Sequence, residues 1–108
     1  MLYDKDEAMV NIAQRKHLLD YRSFGSATEA EMDDLKMISG IGPFIEERLN
    51  MLDICTFEQI SKLTPADVEI IAEILEISPG RIDRDIWVSQ ARGLVLNQLH
   101  PEFSHYEI

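Results

Sequence analysis

The sequence predicts an all-α domain of two helical hairpins joined by a connector helix, with an extra helix at the N-terminus. Three observations predict it. Ser39-Gly40-Ile41-Gly42-Pro43 sets a tight glycine turn between two apolar-periodic stretches. Ile41-Gly42-Pro43 recurs as Ile77-Ser78-Pro79, and Ile45-Glu46-Glu47-Arg48 has an echo in Ile82-Asp83-Arg84 once Gly80 is treated as a one-residue insertion. Helix-start signals punctuate the chain between these turns: Thr28 with Glu31, Thr56 with Gln59, and Thr64-Pro65-Ala66-Asp67. A single hairpin has too little core, whereas two packed about a pseudo-two-fold axis share one.

Residues 4 to 20 read as a helix with an apolar stripe of Met9, Ile12, Ala13 and Leu19, interrupted by Lys16. Tyr21 to Ala27, carrying Ser23, Gly25 and Ser26, reads as a linker, which makes the first helix an appendage. Thr28 opens a helix that buries Met32, Leu35 and Ile38 and runs to the glycine turn. Pro43 starts the next, with Ile45, Leu49 and Leu52 inward. Thr56 opens a short connector through Phe57 and Ile60. Thr64 caps a further helix with Val68, Ile71, Ala72 and Leu75 as its core face, and Ser78-Pro79-Gly80 breaks it. Arg81 to about Asn97 forms the last long helix, buried through Trp87, Ala91, Leu94 and Val95, and Pro101 ends the regular structure ahead of a frayed tail. The division expected is an N-terminal helix and linker over 1–28, a tandem-hairpin domain over 29–97 and a tail over 98–108.

At 108 residues the chain is sized for one core. No run approaches the roughly 20 apolar residues of a membrane span, so no membrane partner is expected. The first residues lack a basic segment followed by an apolar one, which makes the cytoplasm the default compartment. The single Cys55, between Ile54 and Thr56, reads as a buried small apolar residue.

The formal net charge of −10 rules out a large basic face. Sequence-independent affinity for nucleic acid comes mainly from Lys and Arg displacing counterions. Between Glu29 and Thr56, the acids Glu29, Glu31, Asp33, Asp34, Glu46, Glu47 and Asp53 face only Lys36 and Arg48.

The glycine turn is the feature that points to a chemistry. Gly40 and Gly42 are free to adopt positive φ and let another molecule approach the main chain. Pro43 suits the first helical position, and the open amides at the following helix start favour a phosphate or carboxylate. Ile41 turns inward and ties the hairpin to the core.

An apolar helix end, Gly-x-Gly, Pro and a second helix together resemble the helix-hairpin-helix family, and the tandem arrangement resembles its double, SAM-like form. More narrowly, Asp34-Leu35-Lys36-Met37-Ile38-Ser39-Gly40-Ile41-Gly42-Pro43-Phe44-Ile45-Glu46, with Pro79-Gly80-Arg81-Ile82-Asp83-Arg84-Asp85 and Trp87, is similar to small bacterial flap-endonuclease-like predicted DNA-binding proteins. The likeness covers about residues 29 to 96. It implies hairpin amides that hold DNA phosphate without reading bases, through Ser39, Gly40, Ile41, Gly42, Pro43, Phe44, Arg48, Gly80, Arg81 and Arg84. It implies no cofactor beyond a monovalent cation held by turn carbonyls. Where the family commonly has a lysine after the proline, this chain has Phe44, and the family's small residue two positions on is Glu46.

No catalytic constellation is expected. Asp33-Asp34 and Glu46-Glu47 are adjacent pairs that diverge around a helix and read as a solvated acidic face. His17, His100 and His105 have no metal-ligand spacing with Cys55 or one another, so no metal site is expected. Trp87 reads as core. Arg81 and Arg84 serve either ion pairs with Asp83 and Asp85 or contacts to a phosphate-bearing ligand. Two functions follow: a non-enzymatic module binding the DNA backbone weakly and without sequence preference, or an acidic protein-interaction module using Phe44 and the N-terminal helix. Neither takes a small-molecule substrate.

Overall fold

The computed structural model describes residues 5–100. The expected tail from Pro101, with His105, lies outside them. Among the described residues the protein is all-helical, with no strand: α1 (Lys5–Arg15), α2 (Tyr21–Phe24), α3 (Pro43–Met51), α4 (Phe57–Ser61), α5 (Pro65–Leu75) and α6 (Arg84–Leu99). Four 3-10 turns, Lys16–Leu18, Glu29–Glu31, Leu35–Met37 and Pro79–Arg81, lie between them. No described helix is long and apolar enough to cross a membrane.

The helix starts form where local chemistry demands them. Pro43 occupies the first turn of α3. Thr56 Oγ1 accepts from Gln59 N at 3.1 Å to open α4. At α5, Thr64 Oγ1 accepts from Asp67 N at 3.1 Å while Asp67 Oδ2 accepts from Thr64 N at 2.9 Å. Such reciprocal caps satisfy amides that a helix end leaves orphaned. α6 packs mainly on α4 and turns Trp87, Val88 and Ala91 into one continuous core with Leu49, Leu52, Ile60 and Ile71.

Four expectations are corrected. The segment from Tyr21, expected as a linker, is a short helix wedged into the core, with Phe24 only 1% exposed. Tyr21 Oη donates to Leu52 O at 2.6 Å, Ser23 Oγ to Asp67 Oδ2 at 2.7 Å, and Gln59 Nε2 to Gly25 O at 2.9 Å. Each bond reaches at least 31 residues along the chain, so no local pattern announces it. Upstream, α1 ends at Arg15, and of its expected stripe Ile12 is buried while Met9 and Ala13 face solvent.

The helix expected from Thr28 to the glycine turn does not form. Two 3-10 turns separated by extended backbone replace it, and Met32 is exposed. Asp33 N is taken by Cys55 O at 2.9 Å, and Asp33 Oδ2 accepts from Phe57 N at 2.8 Å. Asp34 Oδ1 accepts from Lys36 N at 3.2 Å, and Glu46 Oε2 from Leu35 N at 2.9 Å. Three amides that a helix would have used, Asp33 N, Leu35 N and Lys36 N, are thereby committed elsewhere, and for Lys36 the acceptor is the kind of short polar side chain that competes with helices. Finally, α6 begins at Arg84 rather than Arg81, because Asp83 Oδ1 caps it through Ile86 N at 3.2 Å.

Candidate interaction surface around the glycine turn

Gly40 and Gly42 differ in what they do. Gly40 lies at φ +99°, and a Cβ built on it would sit 2.9 Å from Trp87 Nε1, so only glycine fits. Gly42 is extended, at φ −97° and ψ −176°, caps α3, and has nothing within 4 Å of an added Cβ. The expectation that both glycines use positive φ is therefore corrected for Gly42, whose open surroundings serve access alone. In the later turn the left-handed residue is Glu76, at φ 56°, and Gly80 has no positive φ.

The hairpin is stitched to α6. Ser39 N donates to Gln90 Oε1 at 2.9 Å, and Gln90 Nε2 donates to Ser39 O at 3.3 Å. Ile41 is 3% exposed and its N–H donates to Ile38 O at 3.0 Å. Two of the amides that the sequence left open are thus engaged internally. Pro43 and Phe44 stand at the surface.

The cations around the turn are also committed. The Arg48 guanidinium is buried, 4.0 Å from the centroid of the Phe44 ring, a contact that places an aromatic over the charge. Lys36 Nζ lies 2.9 Å from Asp34 Oδ1 and 3.3 Å from Glu46 Oε1. Hydrogen bonding to Asp34, then to Glu46, raises the Lys36 pKa above the usual lysine value, and the same Lys36 holds Asp34 below the usual carboxylate range. Arg84 Nε donates to Leu63 O at 2.8 Å and Nη1 to Asp85 Oδ1 at 2.7 Å. Arg81 and Gly80 are exposed on the turn before α6.

Glu46 and Asp33 thus act as caps rather than as members of a solvated acidic face, which corrects that reading for these two. Cys55 is buried, and its thiol pKa is raised by that burial and then by Asp53, Asp33, Glu31 and Glu29. Among the described residues no group of His, Cys, Asp and Glu side chains could hold a metal ion. Sequence reasoning missed Gln90 and the full role of Gln59. Gln59 is 2% exposed; Oε1 accepts from Cys55 N and Thr56 N, and Nε2 donates to Gly25 O and Asp53 O. Its capping spacing was visible, but the reach to Gly25 was not.

A glycine turn entering a proline-started helix, packed on an all-helical core, defines a helix-hairpin-helix domain. Residues 35–95 match the family described as the RS2/RL21/YNQ2 HHH domain, and the chain belongs to that family. It is 44% identical over 70 residues to small ribosomal subunit protein uS2 of Methylobacterium radiotolerans, covering 65% of this chain and 19% of that protein. It is 43% identical over 68 residues to large ribosomal subunit protein bL21 of Roseobacter denitrificans, covering 63% of this chain and 31% of that protein. A 22.9 kDa protein from the nqo2 3′ region of Paracoccus denitrificans is 45% identical over 62 residues, 57% of this chain and 29% of that protein. The chain spans less than a third of the length of each of these three relatives. No solved structure matches it significantly.

Proposed function

We propose that this chain is a non-catalytic, cytoplasmic interaction domain that docks a basic protein segment through its acidic surface. The observation that carries the reading is the commitment of charge around the turn: Lys36 is held by Asp34 and Glu46, Arg48 is buried on Phe44, and Arg84 is held by Leu63 O and Asp85. A polyanion approaching there meets few available cations and a chain of net charge −10. A basic segment meets the opposite field, which favours encounter and register. Kinship with ribosomal subunit proteins supports an assembly role over an enzymatic one.

In this reading α5, the turn from Glu76 to Asp83, and α6 form the second half of a double helix-hairpin-helix. The resemblance to flap-endonuclease-like DNA-binding proteins is then one of scaffold. A second reading, weak phosphate binding by RNA or DNA with or without a monovalent cation, is favoured by the exposed Gly42-Pro43 start of α3. In it the contacts are Gly42, Phe44 and Arg81, with Ser39 and Ile41 positioning the turn.

The test is a titration at 20 mM and 150 mM salt with an arginine-rich peptide, a duplex DNA, a single-stranded DNA and a structured RNA. The protein reading expects peptide binding that weakens with salt and no nucleic-acid binding at 150 mM. Nucleic-acid binding lost in Gly42→Asp, with no peptide binding, would replace it with the second reading.

A further inference from the structure

Where the chain leaves α3 it faces the stretch from Ala27 to Met32 across a cleft of about 160 Å³, lined by Ala27, Glu29, Met32, Asn50, Asp53 and Cys55. Sites for drug-sized molecules run to ~300–1,000 Å³, so this one suits a single side chain rather than a cofactor. Its walls are of mixed chemistry. Ala27, Cys55 and the half-exposed Met32 are apolar, and Glu29 and Asp53 bring carboxylates. Asp53 Oδ2 is answered by Lys16 Nζ at 2.5 Å, whereas Glu29 and its neighbours Glu31 and Asp33 have no cationic partner among the described residues. Their field converges on the cleft: the Cys55 thiol in its wall is pushed up by burial first and then by Asp53, Asp33, Glu31 and Glu29. Asn50 adds an acceptor, Oδ1, that is buried without a hydrogen-bond donor. An unmet buried acceptor is unfavourable, and a donor entering the cleft removes the penalty.

These features select the occupant. Among the described residues no group of His, Cys, Asp and Glu could hold a metal ion, so the cleft is not a metal site. An anion is repelled, and an uncharged side chain would desolvate Glu29 without pairing it. An ammonium is a compact point charge. A guanidinium spreads several donors over a planar fork, which serves two carboxylates and an amide oxygen together, and its stem packs on apolar surface such as Met32 and Ala27.

We infer that, given the basic-segment reading above on which this rests, the cleft receives an arginine side chain of the partner, with its guanidinium between Glu29 and Asp53, a bond to Asn50 Oδ1 and its stem along Met32. The walls include no residue of the glycine turn, so the segment docks apart from it.

The test is calorimetric titration of the full chain with hexa-arginine and with hexa-lysine at 20 mM and 150 mM salt, for wild type, Glu29→Gln, Ala27→Leu, Asn50→Leu and Glu69→Gln. Circular dichroism and urea denaturation follow the fold of each. Hexa-arginine should bind more tightly than hexa-lysine and weaken about fivefold in Glu29→Gln. Glu69→Gln removes the same charge from the exposed side of α5, outside the cleft, and should leave binding unchanged. Ala27→Leu fills the cleft with no change of charge and should weaken binding as much as Glu29→Gln does. Asn50→Leu should weaken binding while its urea midpoint stays level or rises, because an unmet acceptor is removed; an asparagine with a structural role alone would lower the midpoint and spare the affinity. Binding that Glu29→Gln and Glu69→Gln weaken alike, or that Ala27→Leu leaves intact, would overturn the cleft while the basic-segment reading stands. Equal affinity for the two peptides would overturn the arginine, and a wild type that binds neither peptide would overturn the reading and the cleft together.

Discussion

Replacing the two glycines of the turn one at a time should separate the one that holds the fold from the one that leaves the surface open. In Gly40→Ala the new Cβ meets a φ of +99° and lies 2.9 Å from Trp87 Nε1. Holding a side chain in a sparsely populated backbone region costs roughly 1–3 kcal/mol. Pushing a fully buried tryptophan off its packing costs roughly 1–3 kcal/mol more. The expected loss is therefore about 2–6 kcal/mol out of the ~5–15 kcal/mol that a domain of this kind has. In Gly42→Ala the backbone is already extended and the site is open. That variant should be neutral or more stable by about 0.4–1 kcal/mol, because alanine has less unfolded-state entropy to lose. Urea denaturation followed by fluorescence reads this directly, since Trp87 is the only tryptophan and sits on Gly40. Equal destabilisation by both substitutions, or a Gly40→Ala within 0.5 kcal/mol (~) of wild type, would refute the reasoning.

Phe24→Ala should cost about 3–5 kcal/mol, because the ring is fully buried and its loss leaves a cavity. Deleting residues 1–24 should for the same reason lower the melting temperature of the remainder sharply; a truncation that melts like the full chain would show that this segment is dispensable. Gln59→Leu should cost about 1–3 kcal/mol by orphaning the buried groups that the amide satisfies, measured by the same urea titration. Tyr21 supplies a pH signature: burial, then Asp53, pushes its phenol up to about 12. Its folded pKa lies above the unfolded value, so its contribution is complete below pH 10 (~) and is lost as pH rises toward 12. Tyr21→Phe should flatten that alkaline limb, and ultraviolet titration should show one tyrosine ionising late. At the acid end, Glu31 and Asp34 are held below the usual carboxylate range, by Thr28 and by Lys36 respectively. Their contribution is present above the unfolded carboxylate pKa and is lost as pH falls through the depressed values, so Glu31→Gln should shallow the acid limb of stability against pH.

The sequence by itself determined the features whose causes are local. Thr56 with Gln59, Thr64 with Asp67 and Pro43 start helices because the groups that cap or pre-organise a first turn lie within three residues of it. Periodicity placed Leu49, Ile71, Trp87 and Ala91 in the core, and the all-helical class and glycine turn followed from the same patterns. Tertiary structure alone decided what depended on partners distant in the chain. The stretch from Thr28 to Ile38 has helical spacing, yet Cys55, Phe57 and Glu46 claim its polar groups at separations of 11 to 24 residues, and the local pattern loses. Tyr21 to Gly25 has linker composition, yet Leu52, Asp67 and Gln59 fasten it to the core. Gln90 reaches Ser39 across 51 residues and closes an amide that the motif leaves open, while Arg48 folds under Phe44 instead of reaching solvent. A hydrogen bond or ion pair between distant residues has no periodicity to betray it, so the architecture was legible along the chain and the availability of each charge and amide at the turn was not.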